Sequence, residues 1–240
     1  MGIKSEKIET EDTFCQTLIA ILAHDLRQPF ASIVMTADVI KHTRRPLAAD
    51  EMHLIFEELS NTAAKSIELL DGLLYWVKSK KENSTGKTQS LFLNDLIHEA
   101  NSLYLYDQIS NNITLYNIIP ERQIICAHKE MLQFINRNIL SNATKYSRNG
   151  GTIGVTCSED SGWITVAFTD RGNGMTDNQL QTLFNLQDNE PPASGYLKSA
   201  GMAMSICKDM IERMNGKIWA ESIPGEGTTF YYSLPQKKNG

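Results

Sequence analysis

The chain is poor in the features that mark secreted, metal-bound or membrane-spanning proteins. Only four of its 240 residues are cysteine, at Cys15, Cys126, Cys157 and Cys207. No two of them form a Cys-x-x-Cys pair, which argues against a zinc site and leaves four reduced thiols in a cytoplasmic protein as the expectation. Long apolar runs are lacking too. Leu18 to Ala23, the longest near the start, is far short of the ~20 residues a membrane helix needs. The opening Met-Gly-Ile-Lys-Ser-Glu-Lys stretch is polar and does not read as a signal peptide. Excess positive charge is also missing. With 23 Lys and Arg against 28 Asp and Glu the net charge is −5, which speaks against a nucleic-acid partner. No membrane contact is expected from this chain, and any sensing element is expected to lie outside it.

What is there divides into two textures near residue 85. Hydrophobic residues at 41% and charged residues at 21% are ordinary for a protein that builds a core. In the first part, Phe14, Leu18, Ile21, Leu22, Phe30, Ile33, Val34 and Ala37 recur at helical spacing, and the chain turns near Arg45-Pro46. From Met52 onward, Met52, Phe56, Leu59, Ala63, Ser66, Leu70, Leu73 and Val77 alternate steps of four and three, a heptad seam. Asp50 reads as the N-cap of this second helix. Two such helices carry too much apolar surface to stand alone, so a homodimeric four-helix bundle is expected.

Lys80 to Gln89 is polar and reads as a linker. Beyond it, helices are expected at Leu93–Ile109, Glu130–Tyr146 and Gly201–Met214. Strands are expected at Ile113–Ile118, Gln123–Cys126, Thr152–Cys157, Trp163–Thr169, Lys217–Glu221 and Thr228–Leu234. The fold class is α+β: a helical hairpin over 1–84, then an α/β sandwich over 85–240 with a mixed, mostly antiparallel sheet.

Four constellations carry chemistry. His24-Asp25-Leu26-Arg27-Gln28-Pro29 lies in the first helix. A lone helical histidine is ordinary, but Asp25 can fix the imidazole tautomer and Pro29 should bend the helix just past it. On the Glu130–Tyr146 helix, Asn138, Asn142, Lys145 and Tyr146 share one face. Any one asparagine there suits a solvated surface; together they suit a nucleotide, since amide oxygen ligates Mg²⁺, ammonium meets phosphate and phenol lies against a base. Asp170-Arg171-Gly172-Asn173-Gly174 ends a strand. It is as compatible with a plain turn as with a site, yet its carboxylate can accept from the adenine amine and its glycines admit close backbone approach. Lastly, Asn185 to Ala200 reads as a long loop of the lid type, and Gly201 as the opening of a helix whose amides can meet phosphate.

In this order and spacing the segments resemble the motif set of sensor histidine kinases, over roughly His24 to Pro235. The first half resembles the family's dimerisation and phosphotransfer domain. The second resembles its ATP-binding domain, of the type shared with gyrase and mismatch-repair ATPases. The resemblance implies His24 as phosphoacceptor with Asp25 assisting, and Gln28 at the position tied to phosphatase activity, where threonine or asparagine is more usual. It implies Asn142 as Mg²⁺ ligand, Asn138, Lys145, Tyr146, Gly172, Gly174 and Gly201 at the nucleotide, and Asp170 on adenine with a threonine of the closing Gly225-Glu-Gly227-Thr228-Thr229-Phe230 run beside it, Thr229 in preference to Thr228. ATP, Mg²⁺ and a response-regulator receiver domain follow as cofactors and partner. The implied location is cytoplasmic, including the cytoplasmic portion of a longer membrane-bound sensor. One departure bears on rate. The usual GxGLGL segment is here Ser199-Ala200-Gly201-Met202-Ala203-Met204, where a left-handed backbone would make Ser or Ala cost roughly 1–2 kcal/mol. A weakened, histidine-kinase-like scaffold and another ATPase of the same nucleotide-binding type are therefore the alternatives.

Overall fold

A computed structural model describes residues 27–43, 45, 47–82, 88–184 and 196–236. The chain divides into two compact units, Met1–Leu70 and Asp71–Gly240. That division falls inside the second helix, ahead of the polar Lys80–Gln89 stretch.

The first unit contains α1 (Arg27–His42) and the greater part of α2 (Ala49–Glu82). Asp50 is not the cap. The helix begins one residue earlier, and Glu51 at its third position reaches back to accept the Ala48 N–H at 2.9 Å, as in a capping box. Glu51 also receives both terminal nitrogens of Arg45, at 2.8 and 2.6 Å. The Arg45 guanidinium holds the Glu51 carboxyl down to about 2. Phe30, Val34, Met35 and Val39 on α1 are at least half exposed, as are Phe56, Ile67 and Leu74 on α2.

The second unit runs β1 (Gln89–Phe92), α3 (Leu93–Ser102), α4 (Leu105–Ser110), β2 (Thr114–Asn117), β3 (Ile124–Ala127), α5 (Lys129–Tyr146), β4 (Thr152–Asp160), β5 (Trp163–Asp170), α6 (Asp177–Thr182), α7 (Tyr196–Arg213), β6 (Lys217–Ile223) and β7 (Gly227–Pro235). The main sheet has the order β2-β4-β5-β7-β6. Only β2 and β4 run parallel; the other pairs are antiparallel. β1 and β3 form a separate two-stranded ribbon. Ser161 and Gly162, both at positive φ, make the tight turn between β4 and β5.

Period-two alternation selects the core face. Ile164, Val166 and Phe168 on β5 lie beside Phe230, Tyr232 and Leu234 on β7, all buried. Against that face pack α5 and α7. The apolar stripe of α5, Leu132, Ile135, Ile139 and Ala143, is fully buried, at roughly 1.5–3 kcal/mol for each large side chain. One expected helix is two. The segment read as Leu93–Ile109 breaks at Leu103-Tyr104, where Tyr104 adopts φ −112, ψ 0 and donates to the Asn101 carbonyl at 2.9 Å. Tyr104 and Gln108 are thereby buried while Leu105 and Ile109 stay outside, so apolar spacing there did not mark the core face.

Candidate functional site

The alternation that buries Phe168 also buries Asp170, two residues on, at the strand's last position. A carboxylate taken out of water needs donors. Asp170 Oδ1 accepts the backbone N–H of Gly172 at 2.8 Å and that of Thr228 at 3.3 Å. Burial pushes its carboxyl above the ordinary aspartate value, and the two amides partly offset that rise.

The loop beyond Asp170 is tied to both neighbours. Gly172 forms a β-bridge with Ser147, at the end of α5. Asn173 N–H donates to the Tyr146 carbonyl at 3.3 Å, and Gly225 N–H donates to the Asn173 carbonyl at 2.7 Å. Arg148 closes the ring by donating to the Gly225 carbonyl. A Cβ at position 172 would collide with the Tyr146 carbonyl oxygen and approach Asp170 Oδ1 to 2.8 Å. Glycine there is required by packing.

Gly174 is required twice over. Its φ is +65, and a Cβ would collide with the Ile223 carbonyl. Gly174→Ala is expected to lower stability by about 2 kcal/mol or more. Gly150, at φ +74 with nothing within 4 Å, supplies the control. Gly150→Ala should cost only the left-handed backbone term, about 1 kcal/mol. Urea unfolding of both variants checks the difference, which isolates the collision.

On α5, Asn138, Asn142 and Tyr146 are half-buried and Lys145 is exposed. Asn138 Nδ2 donates to the Phe134 carbonyl at 2.8 Å, which leaves its Oδ1 as the outward end. The Lys145 ammonium lies 5.3 Å from the Tyr146 ring centroid, within cation–π range. Tyr146 Oη is enclosed without a hydrogen-bond partner. The Tyr146 carbonyl meets the Asp170 loop, so the end of the α5 face and the carboxylate belong to one construction. It offers a buried acceptor, a cation and an unpartnered phenol. Two amide oxygens complete the donor set, suited to a hard divalent cation that shares its shell with phosphate and water.

Two expected residues are placed differently. Thr229 does not face Asp170. Its partner across the sheet is Thr169, their hydroxyls 3.1 Å apart on the exposed face. Thr228 is the residue opposite Asp170. The signal was available, since Thr228 continues the Leu234-Tyr232-Phe230 alternation and Thr229 does not. Gly201 does not open a helix. It lies inside α7, which begins five residues earlier, so its amide belongs to the helix ladder and is not a phosphate donor. Helical backbone at Ser199 and Ala203 also removes the left-handed cost expected there.

Sequence reasoning missed Ser222 altogether. Its hydroxyl donates to the Gly227 carbonyl at 2.9 Å, accepts the Met175 N–H at 2.7 Å, and lies 2.9 Å from Thr228 Oγ1. With its one proton engaged, it accepts from Thr228. A serine on a strand gives no signal of this in sequence. Gln28 lies in the first turn of α1. His24, Asp25 and residues 185–195 of the expected lid loop lie outside the described residues, and its last five, 196–200, are helical instead, as the start of α7.

Comparison with known proteins agrees with this geometry. Residues 127–238 match the family described as histidine kinase-, DNA gyrase B-, and HSP90-like ATPase. The adaptive-response sensory kinase SasA of Synechocystis sp. is 27% identical over 240 residues, covering 96% of this chain and 61% of that protein. The sensor histidine kinase YcbM of Bacillus subtilis is 26% identical, covering 97% of this chain and 75% of its own length. Among solved structures, the Acinetobacter baumannii histidine kinase AdeS superposes with a TM-score of 0.60 at 12% identity, covering 90% of this chain and 98% of that one. The catalytic domain of histidine kinase ThkA gives 0.54 at 21% identity, over 63% of this chain and 97% of its own. The chain spans about six-tenths of the length of SasA.

Proposed function

We propose that this chain, a relative of sensor histidine kinases whose residues 127–238 form a histidine kinase-, DNA gyrase B-, and HSP90-like ATPase domain, phosphorylates its own His24 from ATP. The observation that carries this reading is the buried Asp170 carboxylate set beside the asparagine face of α5. Asp170 accepts the adenine amine, Thr228 backs it, and the Gly172 N–H on Oδ1 orients the carboxylate toward the base. The Tyr146 ring lies against the nucleotide and Lys145 meets its phosphates. Asn142, with Asn138, would hold Mg²⁺ through amide oxygens, and the bound ion would neutralise phosphate charge. Neutral His24 attacks the γ-phosphorus in line while Asp25 fixes the ring tautomer. The phosphoryl group then passes to an aspartate of a response-regulator receiver domain. The resemblance puts Gln28 at the phosphatase position, where its amide would orient a water that hydrolyses the regulator's phosphoaspartate.

A dimer follows from the phosphotransfer hairpin expected over 1–84. Its exposed Phe30, Val34, Phe56 and Ile67 form more apolar surface than a lone hairpin carries in water. A second copy of the same seam covers it. Among the described residues no helix is long and apolar enough to cross a membrane.

Calorimetry with a non-hydrolysable ATP analogue and Mg²⁺ tests the reading; no binding at millimolar analogue would overturn it. The scaffold alternative is disfavoured because Ser199 and Ala203 sit in ordinary helical backbone. An autophosphorylation assay separates the two.

A further inference from the structure

We infer that Gln108 is a positioning residue for the nucleotide site, acting through Thr144 on the last turn of α5. The inference rests on the nucleotide reading above. α4 has six residues, and Gln108 is its only buried one. Leu105 and Ile109, which would ordinarily seat such a helix, are 47% and 74% exposed. Apolar burial therefore does not hold α4 in place, and a polar bridge does. Gln108 Nε2 donates one proton to Asn101 Oδ1 at 2.8 Å and the other to Thr144 Oγ1 at 3.0 Å. All three side chains are buried. One side-chain amide thus joins α3, α4 and α5, and the backbone carbonyl of Gln108 accepts the Ile113 N–H at 2.7 Å on the way into β2.

Thr144 stands between Asn142 on one side and Lys145 and Tyr146 on the other. At 100° per residue, a tether on Thr144 sets the rotation of the turn that carries those three side chains. It sets the height of that turn too, because the Tyr146 carbonyl receives Asn173 from the Asp170 loop. β-branched Thr144 has two accessible helical rotamers, and the bond to Gln108 selects one. Leucine at 108 would leave the Asn101 and Thr144 oxygens enclosed without their donor, so the turn has reason to shift.

The test compares wild type, Gln108→Leu, Thr144→Val and the double variant by calorimetry with an ATP analogue and Mg²⁺, well below each Tm. Ile97→Ala, a deletion in the α3 core, is the control for lost stability alone. Each single variant is expected to bind about fivefold more weakly, the equilibrium weight of one ordinary hydrogen bond. The double variant should bind no worse than Gln108→Leu, because both substitutions break the same bridge. Ile97→Ala should lose Tm and keep its affinity. Variants that lose Tm but bind as wild type would overturn the inference, as would two losses that simply add. Thr144→Val answers the question should Gln108→Leu fail to fold. A wild type that binds no analogue would instead overturn the nucleotide reading itself, and the inference with it.

Discussion

Replacing Asp170 with asparagine is expected to weaken ATP-analogue binding by roughly 10²- to 10³-fold while the fold stays intact. Asparagine keeps the shape and an oxygen for the Gly172 and Thr228 amides. Its NH₂ then stands where the adenine amine requires an acceptor, donor against donor. The same exchange should narrow the preference for ATP over GTP, since guanine presents an oxygen at that position. Stability should move the other way. Burial is the main cause of the raised Asp170 pKa, so the folded protein favours the uncharged acid. Its contribution to stability is fully present below the ordinary aspartate pKa and is lost as pH rises through the raised folded value. Neutral asparagine avoids that loss, and Tm at neutral pH should hold or rise. Nucleotide affinity, by contrast, falls as pH drops through the raised value, because the acceptor is then protonated. Affinity and the Asp170 share of stability therefore run in opposite directions across one pH window. Calorimetry and thermal melts of wild type and Asp170→Asn, taken through that window, check both. Equal affinity in the two proteins would remove Asp170 from the adenine site.

How much of this was legible in sequence follows from the range of each interaction. The asparagine face of α5 was readable because a helix repeats at 3.6 residues, so spacing alone puts Asn138, Asn142 and Tyr146 together. Asp170 was readable because it ends a strand whose alternation had already chosen the core side. The choice between Thr228 and Thr229 needed the same parity argument on β7. A one-residue slip in a strand moves a side chain to the opposite face. Gly201 was misplaced because glycine reads as a helix boundary, whereas α7 runs through it from Tyr196. Other features had no local signal at all. The Gln108 bridge joins residues 36 positions apart, and the Arg148 strap joins residues 77 apart. Both depend on tertiary placement, which composition and periodicity do not encode.

Substituting His24 with glutamine is expected to abolish labelling by γ-³²P ATP altogether while leaving nucleotide affinity unchanged. The bond that forms joins an imidazole nitrogen to the γ-phosphorus, and the bond that breaks frees ADP through the bridging oxygen. Glutamine matches histidine in polarity and approximate size, but its amide nitrogen is conjugated and has no lone pair to offer. Affinity should hold because the residues proposed to hold the nucleotide, Asn138 through Thr228, all lie in the Asp71–Gly240 unit, whereas His24 belongs to Met1–Leu70. Asp170→Asn should show the reverse pattern, an intact acceptor with little bound donor, so the pair separates the two halves of the reaction. The chemistry of the label gives an independent check. A phosphoramidate loses its phosphoryl group in acid and keeps it in base, and a serine phosphoester does the opposite. Label that persists in His24→Gln would assign the acceptor elsewhere. Label lost from His24→Gln, acid-labile in wild type and dependent on Asp170, would join His24 to the α5 face as one phosphotransfer enzyme.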